Sequence, residues 1–285
     1  MFLNQFPPIH IHPVFILFIF ISILTGTFME ISIIFIIVFI HEMGHYFMAR
    51  VYKWRIRKIM LWVFGGVMET EEHGTRPIKE DLFVTIAGPF QHVIIYVLLI
   101  GLMEAGFLNE AVYNTAFTYN TVILLFNLLP IWPLDGGKLL FFLLSMKFPF
   151  RKAHNTVIIL SIILSIVFII GHVFLYQFTL SFTCIMLFLF IENRLEWKRR
   201  FYVFMRFLLG RYEGNNSIRN LESIYLPGHL TLMEVFSRFK REKKHTIIVK
   251  TSTENINRID EADCLHAYFH EKQYYQPIHD IFKRD

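Results

Sequence analysis

The chain has 285 residues, 54% of them apolar, 17% aromatic and only 18% charged. A soluble protein carries nearer a quarter of charged residues, so composition alone excludes an ordinary soluble enzyme. The formal net charge of +5 comes from basic residues lying between apolar blocks, where membrane topology collects them, and this argues against direct nucleic-acid binding.

Met1 to His12 contains neither Lys nor Arg, and no small-residue cleavage site follows, so a secretory signal peptide is not expected. Apolar blocks then run to about residue 191. A hydrocarbon core takes about 20 apolar residues as helix, which predicts spans at 13–29, 31–49, 81–103, 112–146 in broken form, 155–172 and 176–192. Pro130 and Pro133 break the fourth by removing backbone donors. Broken helices at membrane depth survive only inside protein or along a cavity, so this break points to a site. Lys and Arg gather in 50–58, 76–79, 147–152 and 194–200, whereas the connections near 28–30, 104–111 and 173–175 have none. Six spans with both termini in the cytosol are therefore expected, in contact with the lipid bilayer.

Residues 54–72 mix β-formers with Gly65 and Gly66, which predicts strands or a re-entrant hairpin at the cytosolic face. Charge returns after residue 191. Residues 196–210 read as a linker and 211–285 as a small tail, helix-like from Thr231 to Lys240 and strand-like from Thr246 to Lys250. The expected fold is an all-α polytopic membrane domain over 1–195, with a small strand region after its second span, followed by a small cytosolic α+β domain. Cys184 and Cys264 are placed for neither a thiolate metal site nor a disulfide framework.

Chemistry concentrates in His41-Glu42-Met43-Gly44-His45. Histidines at i and i+4 share one helical face and can present ring nitrogens to one ion, with Glu42 turned toward a water as general base. Ionisable side chains inside a span cost about 3 kcal/mol each on insertion scales, so three within five residues need a partner, and a metal supplies it. The plainer role is histidines packed and hydrogen-bonded between helices. A catalytic zinc takes three protein ligands and keeps a fourth position for water. Asp135, just past the break in Asn127-Leu128-Leu129-Pro130-Ile131-Trp132-Pro133-Leu134-Asp135-Gly136-Gly137, is the candidate third ligand, although it could also cap the helix that restarts there. Asn127 could donate to the oxyanion of a tetrahedral intermediate or make an interhelical hydrogen bond. His10, His12, His73, His154 and His172 are expected to be interfacial or solvated. A membrane metal transporter and a silent membrane-anchored sensor remain the competing readings. The former would tolerate Glu42→Gln, and the latter would bind no stoichiometric zinc.

The His-Glu-x-x-His span, the later Asn-x-x-Pro-x-x-Pro-Leu-Asp-Gly segment and the Ala87-Gly88-Pro89 turn together resemble the site-2 protease family of intramembrane zinc metalloproteases over about residues 1–195. The resemblance implies one Zn2+ on His41, His45 and Asp135, Glu42 as the catalytic glutamate and Asn127 as an amide near the scissile bond. Many members have Asn where this chain has His92, which is not expected to bind zinc because a fourth protein ligand would close the water's position. Residues 54–72 could offer a strand edge to an extended substrate. Phe64, a possible gate or plain apolar anchor there, joins Pro130 and Pro133 as candidate substrate contacts. The absence of a PDZ-like insertion and a tail resembling a CBS module are most similar to the sporulation branch of the family. That branch implies a sigma-factor precursor (sigma-K type) as substrate, inhibitory membrane partner proteins and the mother-cell membrane around the forespore. The CBS-like tail implies possible ATP binding and pairing into a homo-oligomer. The glycine-containing turn such a tail would carry is here Ile256-Asn257-Arg258-Ile259-Asp260.

Overall fold

The computed structural model describes residues 9–11, 13–62, 65–70, 76–175, 179–214, 220–250 and 256–282. Helices α1 (Pro13–Thr25), α2 (Phe28–Val51), α3 (Ile78–Glu104), α4 (Glu110–Asn127), α5 (Asp135–Lys147), α6 (Phe150–Leu175) and α7 (Leu180–Tyr212) account for the apolar part. Among the described residues, Phe28–Val51, Ile78–Glu104 and Phe150–Phe174 are long and apolar enough to cross a membrane. The expected first span contracts to the 13 residues of α1. The expected fourth becomes two helices, α4 and α5, separated by 128–134. Asn109 starts α4 by accepting from the Val112 N–H at 2.8 Å, a side-chain cap for an otherwise orphaned donor.

The break between α4 and α5 has its backbone satisfied by protein. Trp132 N–H donates to Ser161 Oγ on α6 at 2.8 Å, and Trp132 carbonyl accepts from the Asn193 amide on α7. Ile131 is fully buried with Met186 and Leu189. Irregular backbone is thus tolerated because neighbouring helices take up its polar groups.

Helices α2 and α3 approach closely. The buried face of α2 carries Ile37, His41, Gly44, His45 and Ala49, and that of α3 carries Val84, Thr85, Gly88, Pro89 and His92. A Cβ on Gly44 would collide with the Ala87 carbonyl and lie 2.6 Å from Gln91 Cγ, so the small residue sets the separation. Strands β1 (Ile9–Ile11), β2 (Ile56–Trp62) and β3 (Gly65–Thr70) form a sheet in that order, with β1 parallel to β2 and β3 antiparallel to it. The hairpin falls within the expected strand region. The pairing of β1 was not anticipated, because three residues carry no periodicity.

The stretch 196–210, read as a linker, is helical. Phe204, Phe207, Leu208 and Arg211 lie at i, i+3, i+4 and i+7 and are buried, an amphipathic stripe that continues α7 into the tail. The tail runs β4 (Asn220–Pro227), α8 (Leu232–Phe236), β5 (Lys243–Lys250), β6 (Ile256–Asp260), α9 (Glu261–Phe269) and α10 (Ile278–Ile281). β5 is central, parallel to β4 and antiparallel to β6. A capping box between Thr231 and Glu234 starts α8, and Asp260 caps α9. The tail core, with Leu232, Phe236, Phe239, Ile247 and Leu265, is continuous with Phe141, Phe142, Phe150, Phe204 and Phe207 of the helical region. Polar ties cross the same junction: Arg241 pairs with the buried Asp81 of α3, Glu242 accepts from Ile78 N–H at 2.8 Å, and Phe150 N–H donates to Phe239 carbonyl at 2.9 Å.

One expectation about histidines is corrected. His154 is buried, not interfacial: its ring stacks on Phe150 at 6.1 Å, and its Nε2 lies 3.3 Å from Glu196 on α7. The sequence offered no signal, because the burial comes from α6 packing on α7. His12 and His73 lie outside the described residues.

Candidate active site

Helix α2 supplies His41, Glu42 and His45, all buried. Each offers one potential ligand atom, and these atoms lie within 4.8 Å of one another. Asp135, the first residue of α5, brings its Oδ2 to 3.2 Å from His41 Nε2 and 3.1 Å from His45 Nε2. The two imidazole Nε2 atoms are themselves 3.1 Å apart. Three atoms from two distant segments therefore form a nearly equilateral triangle inside the helices.

The far sides of these groups are also engaged. His45 Nδ1 faces the Val84 carbonyl at 2.8 Å. A carbonyl only accepts, so this nitrogen carries the proton and His45 Nε2 presents its lone pair. His41 Nδ1 lies 3.1 Å from His92 Nε2. Lys138, one turn into α5, donates to Asp135 Oδ1 at 3.1 Å. Gly88 is required where it stands, since a Cβ there would collide with the His45 ring and lie 2.8 Å from His41 Nε2.

Asn127 is the last residue of α4; it is half-buried, and its amide has no hydrogen-bond partner among the described residues. Pro130, exposed, and Pro133, half-buried, lie in the break that leads to Asp135. Phe64 lies outside the described residues. Reading the sequence missed Lys138, the Val84 carbonyl and Asn120, which is fully buried and bonded to His92. The available signal for Asn120 was an amide within an apolar span.

The sequence profile of Peptidase family M50 matches residues 29–109 and 102–170. Stage IV sporulation protein FB of Bacillus subtilis is 39% identical over 268 residues, covering 93% of this chain and 92% of that protein. The chain belongs to peptidase family M50, the site-2 proteases. Zinc metalloprotease MJ0392 of Methanocaldococcus jannaschii is 32% identical over 157 residues, 51% of this chain and 45% of that protein. The solved structure of the Site-2 Protease from the same archaeon aligns with a TM-score of 0.52 and 27% identity, covering 66% of this chain and 89% of that one. The protein is thus an integral membrane metalloprotease of a zinc-dependent family.

The residues present fit that metal. Asp135 Oδ2 is buried and has no hydrogen-bond partner among the described residues, although two imidazole nitrogens stand within 3.2 Å of it. A buried carboxylate oxygen without a donor is costly unless a cation satisfies it. Tetrahedral zinc, with bonds of about 2.0–2.1 Å to N and O, spaces its ligands about 3.3 Å apart. The triangle's edges of 3.1, 3.1 and 3.2 Å are close to that spacing.

Proposed function

We propose that His41, His45 and Asp135 are the three protein ligands of the family's zinc and that Glu42 is the general base for peptide hydrolysis. The triangle of Nε2, Nε2 and Oδ2 atoms carries this reading, because it offers three ligands and leaves the fourth position to water and substrate. Bound zinc supplies Lewis acidity, which makes water acidic near neutral pH and polarises a peptide carbonyl. Glu42 takes a proton from the attacking water and passes it to the leaving amine. The Asn127 amide, without another partner among the described residues, donates to the carbonyl oxygen as charge develops there. Lys138 engages Asp135 Oδ1 and so keeps Oδ2 turned toward the imidazoles.

An extended substrate adds as a strand beside β3, an edge of its sheet, and meets Phe64, Pro130 and Pro133 on its way to Glu42. For its identity we infer the pro-sequence of a sporulation sigma-factor precursor of the sigma-K type, cut at the mother-cell membrane. What supports this is identity at 39% across nearly the whole of a protein whose name marks it as a sporulation protein. Six passes with both termini cytosolic fit the Lys and Arg gathered at one end of the helices. The strand and helix order of the tail supports a CBS-like regulatory module.

Co-expression of the full chain with a sigma-factor precursor tests the reading. Wild type is expected to release the pro-sequence, and Glu42→Gln to lose cleavage while keeping one zinc per chain. Continued cleavage by Glu42→Gln would overturn the role of the carboxylate.

A further inference from the structure

Polar groups at His92 and Asn120 are buried beside the site with no role in the chemistry just described. His92 lies on α3 and Asn120 on α4, and neither is exposed at all. They exchange two hydrogen bonds: the Asn120 amide nitrogen donates to the His92 backbone carbonyl at 3.1 Å, and Asn120 Oδ1 lies 2.7 Å from His92 Nδ1. His92 Nε2 in turn lies 3.1 Å from His41 Nδ1.

Protons along this chain can be assigned from one fixed end. A backbone carbonyl only accepts, so the Asn120 nitrogen must face it and the Asn120 oxygen must face the ring. An amide oxygen also only accepts, so His92 Nδ1 carries the hydrogen. A neutral His92 then has its lone pair on Nε2 and accepts from His41 Nδ1. His41 is left with its lone pair on Nε2, the atom 3.2 Å from Asp135 Oδ2. The opposite tautomer of His41 would place a hydrogen in the middle of the triangle. The backbone performs the same service for His45 directly, through the Val84 carbonyl.

We propose that Asn120 and His92 are positioning residues, a side-chain relay that imposes the Nδ1–H tautomer and ring orientation of His41 and thereby strengthens zinc binding. The inference rests on the reading of His41 as a zinc ligand. It also accounts for two buried polar side chains that would otherwise weaken helix packing against lipid-facing neighbours. Groups that orient a ligand histidine typically contribute 10–100-fold in metal affinity, and acting in series on one nitrogen they should not add.

Zinc affinity of the detergent-purified full chain, read by competition with a chromogenic chelator, tests this. Asn120→Ala, Asn120→Leu and His92→Leu are each expected to weaken zinc about 10–100-fold, and the Asn120→Ala/His92→Leu pair no more than the worse single change. His92→Asn, whose amide oxygen can accept from His41 Nδ1, should recover most of the loss. Cobalt-substituted Asn120→Ala should show a shifted ligand-field band, which looser helix packing alone would not produce. Thermal unfolding of the metal-free variants checks that each is folded. Zinc affinity within twofold of wild type in Asn120→Ala and His92→Leu, or losses that add, overturns the relay. His41→Ala separates the two levels of the argument: if it retains zinc, the ligand assignment fails, whereas if it loses zinc while Asn120→Ala keeps it, the relay alone fails.

Discussion

Two buried polar clusters in this protein are built to opposite plans. In the tail, Arg211 forks onto Glu261 and also donates to the Lys240 carbonyl at 3.1 Å. Glu261 accepts in addition from the His245 N–H at 2.8 Å and faces His245 Nδ1 at 3.0 Å. His245 Nε2 accepts from Lys240 N–H at 3.2 Å, and the His245 ring stacks on Phe239 at 4.6 Å. Every charge there meets its opposite within the chain, so the cluster is closed. Between α2 and α5, the far side of each imidazole is tied to protein, yet the three atoms that face one another include a carboxylate oxygen with no hydrogen-bond donor among the described residues. A closed network holds a fold together, whereas an open one that has been oriented from behind is a site waiting for a cation. The distinction lies in where the lone pairs point, not in how deeply the groups are buried.

Replacing the open carboxylate should give the largest effect. Asp135→Asn is expected to abolish cleavage and stoichiometric zinc while leaving the metal-free protein within about 1 kcal/mol of the parent, because the amide oxygen can still accept from Lys138. A metal-free variant several kcal/mol less stable than its parent would mean that the cluster is structural after all. Breaking the closed cluster should do the reverse. Arg211→Met leaves Glu261 buried without its partner and should cost about 3–5 kcal/mol of tail stability with zinc content unchanged, read by unfolding and metal analysis on the same sample. Gly88→Ala comes next. The added methyl pushes on both imidazoles, and zinc affinity should fall about 10–100-fold, as for other losses of ligand orientation; unaltered affinity would show that α2 and α3 can separate at no cost.

The smallest effect is one of pH. Burial alone would raise the Glu261 carboxyl, but hydrogen bonds from His245 and Arg211 outweigh it and hold the group below its ordinary value. A carboxylate depressed in the fold stabilises the tail above the ordinary Glu value of about 4.3, and that contribution is lost as pH falls through the folded value. Unfolding temperatures of the parent should therefore decline more steeply below about pH 4.3 than those of Glu261→Gln. Parallel curves would remove Glu261 as the titrating group.

The spacing of His41 and His45 could be read directly, since i and i+4 share a helical face, and the order of the two motifs indicated the family. The approach of Asp135 depends on α5 restarting after a break, and the prolines marked that break without giving its direction. Asn120 and Lys138 were not legible. Asn120 bonds across two helices to a residue 28 positions away, and a lone amide in an apolar span has several possible partners. Lys138 reads as an ordinary charge in a helix until Asp135 is seen beside it. The helical continuation of α7 was legible in principle, because its buried stripe has helical spacing, but the density of charge in 194–200 suggested a connection instead.

X-ray absorption at the zinc edge of purified Glu42→Gln protein, with Asp135→Ala as its partner sample, addresses the central claim most directly. The expected result is one zinc per chain in a shell of two imidazole nitrogens and carboxylate or water oxygens at about 2.0–2.2 Å, absent from the Asp135→Ala sample. A full complement of zinc with an unchanged spectrum in Asp135→Ala would contradict it.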